Sequence, residues 1–175
     1  MTSYELRSPV ILAHYVNTGA YSGHDWFYET AKWMAAKVSV PVAIHLDHGD
    51  SFERCMEMLK LGFTSIMFDG SALPVEENAA ATEAVARVCR SFGVPLEAEI
   101  GELCRLDDKG NKMGASNIAD PDVVRQYLKL CHPDSLAIGI GNAHGFYNGP
   151  VDIRAEVLEE CRKFTDIPFV LHGCT

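Results

Sequence analysis

Three histidines each stand just past a short apolar run. They lie in Ile44-His45-Leu46-Asp47-His48, in Gly141-Asn142-Ala143-His144-Gly145 after Leu136 to Ile140, and in Leu171-His172-Gly173 after Ile167 to Val170. Such runs read as buried strands, so each histidine is expected at a strand's C-terminal end. A lone histidine there is most simply a hydrogen-bonded structural residue. Three at equivalent strand ends point instead to a metal, because imidazole nitrogens suit zinc and three protein ligands leave a fourth position for substrate. His48, His144 and His172 are the candidate ligands. Asp47 precedes His48, and a carboxylate beside a metal-bound carbonyl can take or give a proton during carbon chemistry. Alternation along a strand would aim these two neighbours differently, yet a backbone that turns at the strand end brings both to one cavity. The competing role for Asp47 is a helix N-cap, for which Asp50 and Ser51 are alternatives.

Two further strand ends carry carboxylates. Asp69-Gly70-Ser71 follows one run, and Glu97-Ala98-Glu99 lies inside another with both acids on the same face. Carboxylates in an apolar strand are costly unless paired or bound to metal, so Asp69 and Glu99 are expected as alternate ligands or as supports for the ligands. Gly145 and Gly173 directly follow candidate ligands. A missing Cβ lets backbone N–H groups approach an anion there, and a tight turn is the other explanation. His45 is expected to support the site, and His14, His24 and His132 to lie in loops or on the surface.

The elements that must position these residues follow from periodicity. Apolar runs at Pro9–Ala13, Val40–Ile44, Thr64–Phe68, Val94–Ile100, Ser135–Ile140 and Ile167–Leu171 are expected strands. Five segments of helical spacing separate them. The first places Trp26, Phe27, Trp33 and Met34 on one face, and the second runs from Phe52 to Leu59 before Gly62, a C′ glycine. The third opens at Pro74 and closes at Gly93, the fourth has Asp120 as N-cap and Pro121 at N1, and Asp152 caps the fifth. Strict strand–helix alternation implies parallel strands with right-handed crossovers. No G-x-G-x-x-G follows the first strand, as a dinucleotide-binding sheet would require. Functional-looking residues close five of the six strands, which fits a single (β/α)8 barrel domain over residues 1–175 with its site at the C-terminal face. A barrel needs eight strands and typically about 250 residues. The chain is therefore expected to be partial and cut at both ends.

Composition narrows the partners. The 175 residues are 47% hydrophobic, and 24 acidic against 15 basic residues give a formal charge of −9, with no Lys/Arg cluster. That balance argues against a nucleic-acid surface, while small anionic substrates remain open to a local metal or helix terminus. Six cysteines without a C-x-x-C pair read as reduced, buried thiols. No apolar stretch approaches the roughly 20 residues that span a bilayer, and Met1 to Ser8 lack a signal peptide's apolar centre. A cytoplasmic protein without membrane contact is the expectation.

The ordered strings Ser8-Pro9-Val10-Ile11-Leu12, His45-Leu46-Asp47-His48, Asp69-Gly70-Ser71, Glu97-Ala98-Glu99-Ile100-Gly101, Asp120-Pro121, Ile140-Gly141-Asn142-Ala143-His144-Gly145 and Val170-Leu171-His172-Gly173 resemble the class II, metal-dependent fructose-bisphosphate/tagatose-bisphosphate aldolase family. The resemblance implies a (β/α)8 barrel and reversible aldol cleavage of a phosphorylated ketose into dihydroxyacetone phosphate and an aldehyde, through a zinc-stabilised enediolate. It assigns zinc to His48, His144 and His172, the proton on the C4 hydroxyl to Asp47, a place near the metal to Glu99, and a displaced or second metal to Asp69. Gly145, Gly173 and Thr175 fall where the family contacts the ketose phosphate, often with a monovalent cation. Dimers or tetramers are implied for the full-length protein.

Against that family the chain is expected to lack the first strand, before Ser8, and the last, after the His172-Gly173 of the seventh. The Gly-Gly-Glu-Asp-like mobile loop, which supplies a further acid, reads Glu102-Leu103-Cys104-Arg105-Leu106-Asp107-Asp108, with Asp107 or Asp108 as the available substitutes. The lysine often found after His-Gly-x-Tyr is Asn148, and the residues after the last histidine's glycine are Cys174-Thr175. Two rival readings stand beside the aldolase. A metal-dependent hydrolase on a barrel would usually open with a His-x-His pair, a spacing that His45 and His48 lack. A chain with six strands would also expose two sheet edges and be inactive on its own.

Overall fold

Each of the six apolar runs forms a strand, and helices occupy the segments between them. The computed structural model describes residues 3–101, 104–106, 112–113, 118–145 and 152–173. In chain order the elements are α1 (Ser3–Leu6), β1 (Val10–Tyr15), α2 (Val16–Ser22), α3 (His24–Ala35), β2 (Val42–Gly49), α4 (Phe52–Leu61), β3 (Ser65–Phe68), α5 (Val75–Phe92), β4 (Leu96–Ile100), β5 (Cys104–Leu106), β6 (Lys112–Met113), α6 (Pro121–Leu130), β7 (Ser135–Ile138), β8 (Ala143–His144), α7 (Ala155–Arg162) and β9 (Phe169–Val170). They belong to two compact units, Met1–Asp69 with Ala84–Leu96 and Gly70–Glu83 with Glu97–Thr175.

In the first unit β1 pairs in parallel with β2 from Val10↔Val42 to Tyr15↔Asp47, and β2 with β3 from His45↔Ser65. Prolines mark strand entries, where the missing N–H costs nothing and the carbonyl still accepts. Val10 N–H donates to the Pro41 carbonyl at 3.0 Å and Ile66 N–H to that of Pro95 at 3.1 Å. The helix after β2 starts where Ser51 Oγ accepts from Arg54 N–H at 3.2 Å and stops at Gly62, whose φ of 107° is left-handed. Leu46, Met58, Phe63, Ile66, Met67 and Val85 make the buried core.

In the second unit β4 pairs in parallel with β7 from Glu97↔Ser135 to Ile100↔Ile138, and β7 with β9 at Leu136↔Phe169 and Ala137↔Val170. The proline device recurs, Leu136 N–H donating to the Pro168 carbonyl at 3.0 Å. Asp120 caps α6 with Pro121 at N1, as its sequence predicts, and its side chain accepts from Asp122 N–H at 2.9 Å. A second small sheet, in the order β6-β5-β8, pairs Arg105 with His144 in parallel. Inside the unit, Thr82 Oγ1 and Tyr127 OH are 2.7 Å apart, and Asn78 Nδ2 donates to the Glu99 carbonyl at 2.9 Å. These buried polar groups satisfy one another, which fixes α5 against β4 and α6.

The alternation of parallel strands and helices is the α/β architecture read from the sequence, with four local differences. The first helical segment breaks at Gly23, φ 86°, into α2 and α3. Trp26 and Trp33 share a face of α3 but are each 63% exposed, whereas Phe27 and Ala31 lie on the other side of the helix, with Ala31 buried and Phe27 stacked on His14. The face that packs is the one carrying 24, 27, 28 and 31, a spacing that the two tryptophans masked. Residue Asp152 does not cap α7, whose N-cap is Arg154; the Asp152 carboxylate takes the Arg154 guanidinium at 3.1 Å instead. The strands β5, β6 and β8 are too short for periodicity to show. Among the described residues no helix is long and apolar enough to cross a membrane.

Candidate functional site

The C-terminal end of β2 shows how two adjacent side chains escape strict alternation. Leu46 opposes Ile66, but Gly49 opposes Phe68, so the register slips between them. His48 sits in this slip with φ 52°, a left-handed conformation that a residue with a Cβ rarely adopts. The cost, of order 1 kcal/mol or more, is a local strain of the kind concentrated at functional positions. Its consequence is geometric: His48 Nε2 lies 3.8 Å from Asp47 Oδ1, and His48 Nδ1 lies 2.8 Å from Asp69 Oδ2. A carboxylate only accepts, so Nδ1 is the donor, and in the neutral ring the lone pair is on Nε2. The Tyr15 ring stands edge-on to the imidazole at 6.1 Å. Since Ser51 caps α4, the capping role is not taken by Asp47.

The second unit carries its own set. His172 Nε2 is 2.7 Å from Glu97 Oε1, which makes Nε2 the donor and leaves the lone pair of the neutral ring on Nδ1. The rings of His144 and His172 meet edge to face with centroids 6.1 Å apart, and a ring nitrogen of each lies within 4.8 Å of the other's. Glu99 is only 1% exposed on β4. Gly173, φ 66°, leaves no room for a side chain: a Cβ would stand 2.4 Å from the Ala143 carbonyl oxygen. Gly145 adopts φ 117° and is exposed.

These residues suit a divalent metal by their donor chemistry. Two of the candidate histidines have one nitrogen held by a carboxylate, the arrangement that orients a ligating imidazole and raises its basicity. Asp47, His48 and Asp69 come together in the first unit, and Glu97, His144 and His172 in the second. His45 is buried with Nδ1 on the Ser65 hydroxyl at 2.8 Å. His132 is a surface residue facing Glu83 at 3.1 Å. Surface placement fails for His14, which is 1% exposed on β1 with Nε2 2.9 Å from His24 Nδ1. Burial on the strand follows from the period-two pattern, in which residue 14 shares a face with Leu12 and points the same way as the core. Thr175, Cys174, Asn148, Asp107 and Asp108 lie outside the described residues. Two contributors were not singled out by residue type: Glu97, whose same-face spacing with Glu99 was the available signal, and Asn142, for which motif membership was the only one.

The sequence model of the family described as Fructose-bisphosphate aldolase class-II matches residues 2–175. A protein of Bacillus subtilis is 40% identical to the chain over 177 residues, covering 98% of the chain and 61% of the relative. The fructose-bisphosphate aldolase of Staphylococcus aureus is 38% identical over 99% of the chain and 61% of its own length. Among solved structures, an aldolase from Escherichia coli K12 superposes with a TM-score of 0.83 at 31% identity, over 98% of the chain and 59% of that structure. The chain thus spans about three-fifths of the length of the curated relatives it matches.

Proposed function

The chain belongs to the class-II fructose-bisphosphate aldolase family, and from that premise we propose that it carries the metal-holding and proton-transfer residues of an enzyme that cleaves a phosphorylated ketose between C3 and C4. The products are dihydroxyacetone phosphate and an aldehyde. One observation carries the reading: two strand-end imidazoles each have one ring nitrogen held by a carboxylate, His48 by Asp69 at 2.8 Å and His172 by Glu97 at 2.7 Å.

In this proposal His48, His144 and His172 hold zinc, with cobalt, iron or manganese as substitutes that histidine sites accept. The ion, when bound, supplies Lewis acidity to the ketose carbonyl and hydroxyl oxygens. Asp69 and Glu97 keep the imidazoles in the ligating tautomer, and Glu99 is the alternate carboxylate for the ion. Asp47 Oδ1 takes the C4 hydroxyl proton as the C3–C4 bond breaks; the C4–O bond becomes the aldehyde carbonyl, and the bonding electron pair stays on C3, which then takes up a proton, from solvent or from the loop acid for which Asp107 and Asp108 are the candidates, to give dihydroxyacetone phosphate. In condensation Asp47 Oδ1 returns the hydroxyl proton. Its 3.8 Å separation from His48 Nε2 supports that role, because the ligating nitrogen and the base then face a common substrate. Backbone N–H groups at Gly145 and Gly173, with Thr175 and a monovalent cation, receive the ketose phosphate.

The protein is expected to act in the cytoplasm as a dimer or tetramer. Its thiols support a reducing compartment: burial pushes Cys55 up to about 12 and Cys131 and Cys161 up to about 11, which keeps them protonated and unreactive. Metal analysis of the purified protein is expected to find about one divalent ion per chain, as three protein ligands imply. Chelation and His144→Ala are each expected to lower ketose-bisphosphate cleavage on the order of 1,000-fold, the rate equivalent of losing several kcal/mol of charge stabilisation. Cleavage that survives both, with a Schiff base trapped by borohydride, overturns the proposal.

A further inference from the structure

Asn142 is 2% exposed between the two ligand-bearing turns of the second unit, and its carboxamide is used at both ends. Oδ1 accepts from Ile140 N–H at 3.0 Å, on the approach to His144, and Nδ2 donates to the His172 carbonyl at 2.6 Å. The turn on the first side is itself anchored, since Arg154 N–H donates to the Ile140 carbonyl at 2.8 Å. The glycines around it allow no slack. A Cβ on Gly141 would meet the Asp152 carbonyl oxygen at 2.2 Å, and one on Gly173 the Ala143 carbonyl oxygen at 2.4 Å.

We infer that Asn142 is a positioning residue: its carboxamide ties the backbone of the His144 turn to the backbone of the His172 turn and so sets the separation of the two imidazoles. The inference rests on the metal-site reading above, since it concerns the spacing of two proposed ligands. A carboxamide is required because one short side chain must present an acceptor and a donor about 2 Å apart in opposite senses. Aspartate keeps the acceptor for Ile140 N–H but turns an oxygen onto the His172 carbonyl. Leucine, with the same branching at Cγ, offers neither bond and takes the partner from the buried Ile140 N–H.

The test compares Asn142→Asp with Thr82→Val, which removes a buried hydroxyl bonded to Tyr127 elsewhere in the same unit. Cobalt(II) affinity is measured by chelator competition on the purified protein, and the visible d–d spectrum reports coordination geometry. Asn142→Asp is expected to weaken cobalt binding about 10- to 100-fold, the range for a lost supporting contact, and to alter the spectrum. Thr82→Val is expected to lower the melting temperature yet leave affinity and spectrum unchanged. In the metal-free protein, deuterium exchange is expected to rise in Asn142→Asp at both 140–145 and 171–173, and in Thr82→Val at neither. Where the aspartate variant does not fold, Asn142→Ser, which reaches only one of the two partners, takes its place. Cobalt affinity within about threefold of the unaltered protein, or exchange that rises on one side only, overturns the inference. Absence of cobalt binding in the unaltered protein sinks the metal reading alone, and the exchange comparison still decides whether Asn142 ties the two turns.

Discussion

In the first unit the candidate ligand bears the strain itself: His48 occupies φ 52° in a register slip of β2, with Asp69 on one ring nitrogen and Asp47 near the other. In the second unit glycines take the positive-φ positions, where the missing Cβ removes the strain. Gly145 at φ 117° and Gly173 at φ 66° directly follow His144 and His172, neither of which has a positive φ, and Gly141 at φ 98° opens the His144 turn. The difference follows from what each region has to hold. A continuous strand such as β2 supplies paired backbone up to the candidate ligand, so one irregular residue suffices to re-aim it. The two-residue strands β8 and β9 supply almost none, and the candidate ligands there depend on close backbone packing and on side-chain hydrogen bonds. Substitutions should therefore act locally in the first region and through several residues in the second.

The largest effect expected from this contrast is at Gly173. In Gly173→Ala the Cβ meets the Ala143 carbonyl oxygen at 2.4 Å and the His144 nitrogen at 3.2 Å, so the turn carrying His144 has to move. A shift of about 1 Å in a reacting constellation costs on the order of 100-fold in rate, and kcat for ketose cleavage should fall by at least that. Gly93→Ala is the matched control. It has nearly the same φ, 67°, but nothing within 4 Å of the new Cβ. Only the left-handed penalty of roughly 1–2 kcal/mol should appear there, as a lower melting temperature with unchanged kcat. Equal kinetic losses in the two variants would break the comparison.

A smaller effect sharpens it. Asp69→Asn and Glu97→Gln each keep an acceptor oxygen for the imidazole N–H and remove the charge behind it. Both should weaken metal binding, by about 10-fold or more, because the charge raises ligand basicity. His48 is also held by its backbone and by the Tyr15 ring, whereas His172 follows a strand of two residues. Chelator competition should therefore rank Glu97→Gln as the weaker binder of the two. The reverse order would mean that backbone strain does little to hold His48.

The same contrast separates what is legible in the amino-acid sequence from what is not. The strand-end placement of His48, His144 and His172 was legible because parallel strands buried on both faces leave apolar runs of β-branched residues, and the chain turns immediately after them. Helix ends were legible where a side chain acts on its own helix, at Asp120, Pro121 and Gly62. Contacts between distant segments were not. Nothing in the type of Asn142 announces that it bonds to a carbonyl 30 residues away, nor does Glu97 declare which histidine, 75 residues on, it will hold. Trp26 and Trp33 misled for a related reason: a shared helical face tells which residues move together and not which side packs.

A finer comparison lies within the first unit, between an imidazole backed by carboxylates and a pair of imidazoles that face each other. His14 and His24 are 2.9 Å apart through Nε2 and Nδ1, and His14 stacks on Phe27 with ring centroids 4.1 Å apart. One ring must donate and the other accept, so the contact needs at least one neutral imidazole. Burial lowers the pKa of His14 below its ordinary 6.5, and the neighbouring His24 adds to the shift. Burial also lowers His24, helped by Arg54 and opposed by Glu57, Asp25 and Asp50. Folded values below 6.5 mean that the unfolded chain binds more protons in acid, so the stability from this pair is complete above about pH 6.5 and is lost as the pH falls through that value toward the folded ones. The melting temperature of the purified protein should be level from about pH 8 to 7 and decline below about 6.5. His24→Asn, which leaves a single titrating ring in the pair, should make the decline shallower without touching His48. If the slope in that variant matches the unaltered protein between about pH 7 and 5, the acid sensitivity belongs to other groups, and the facing pair is a packing contact with no titration linked to folding.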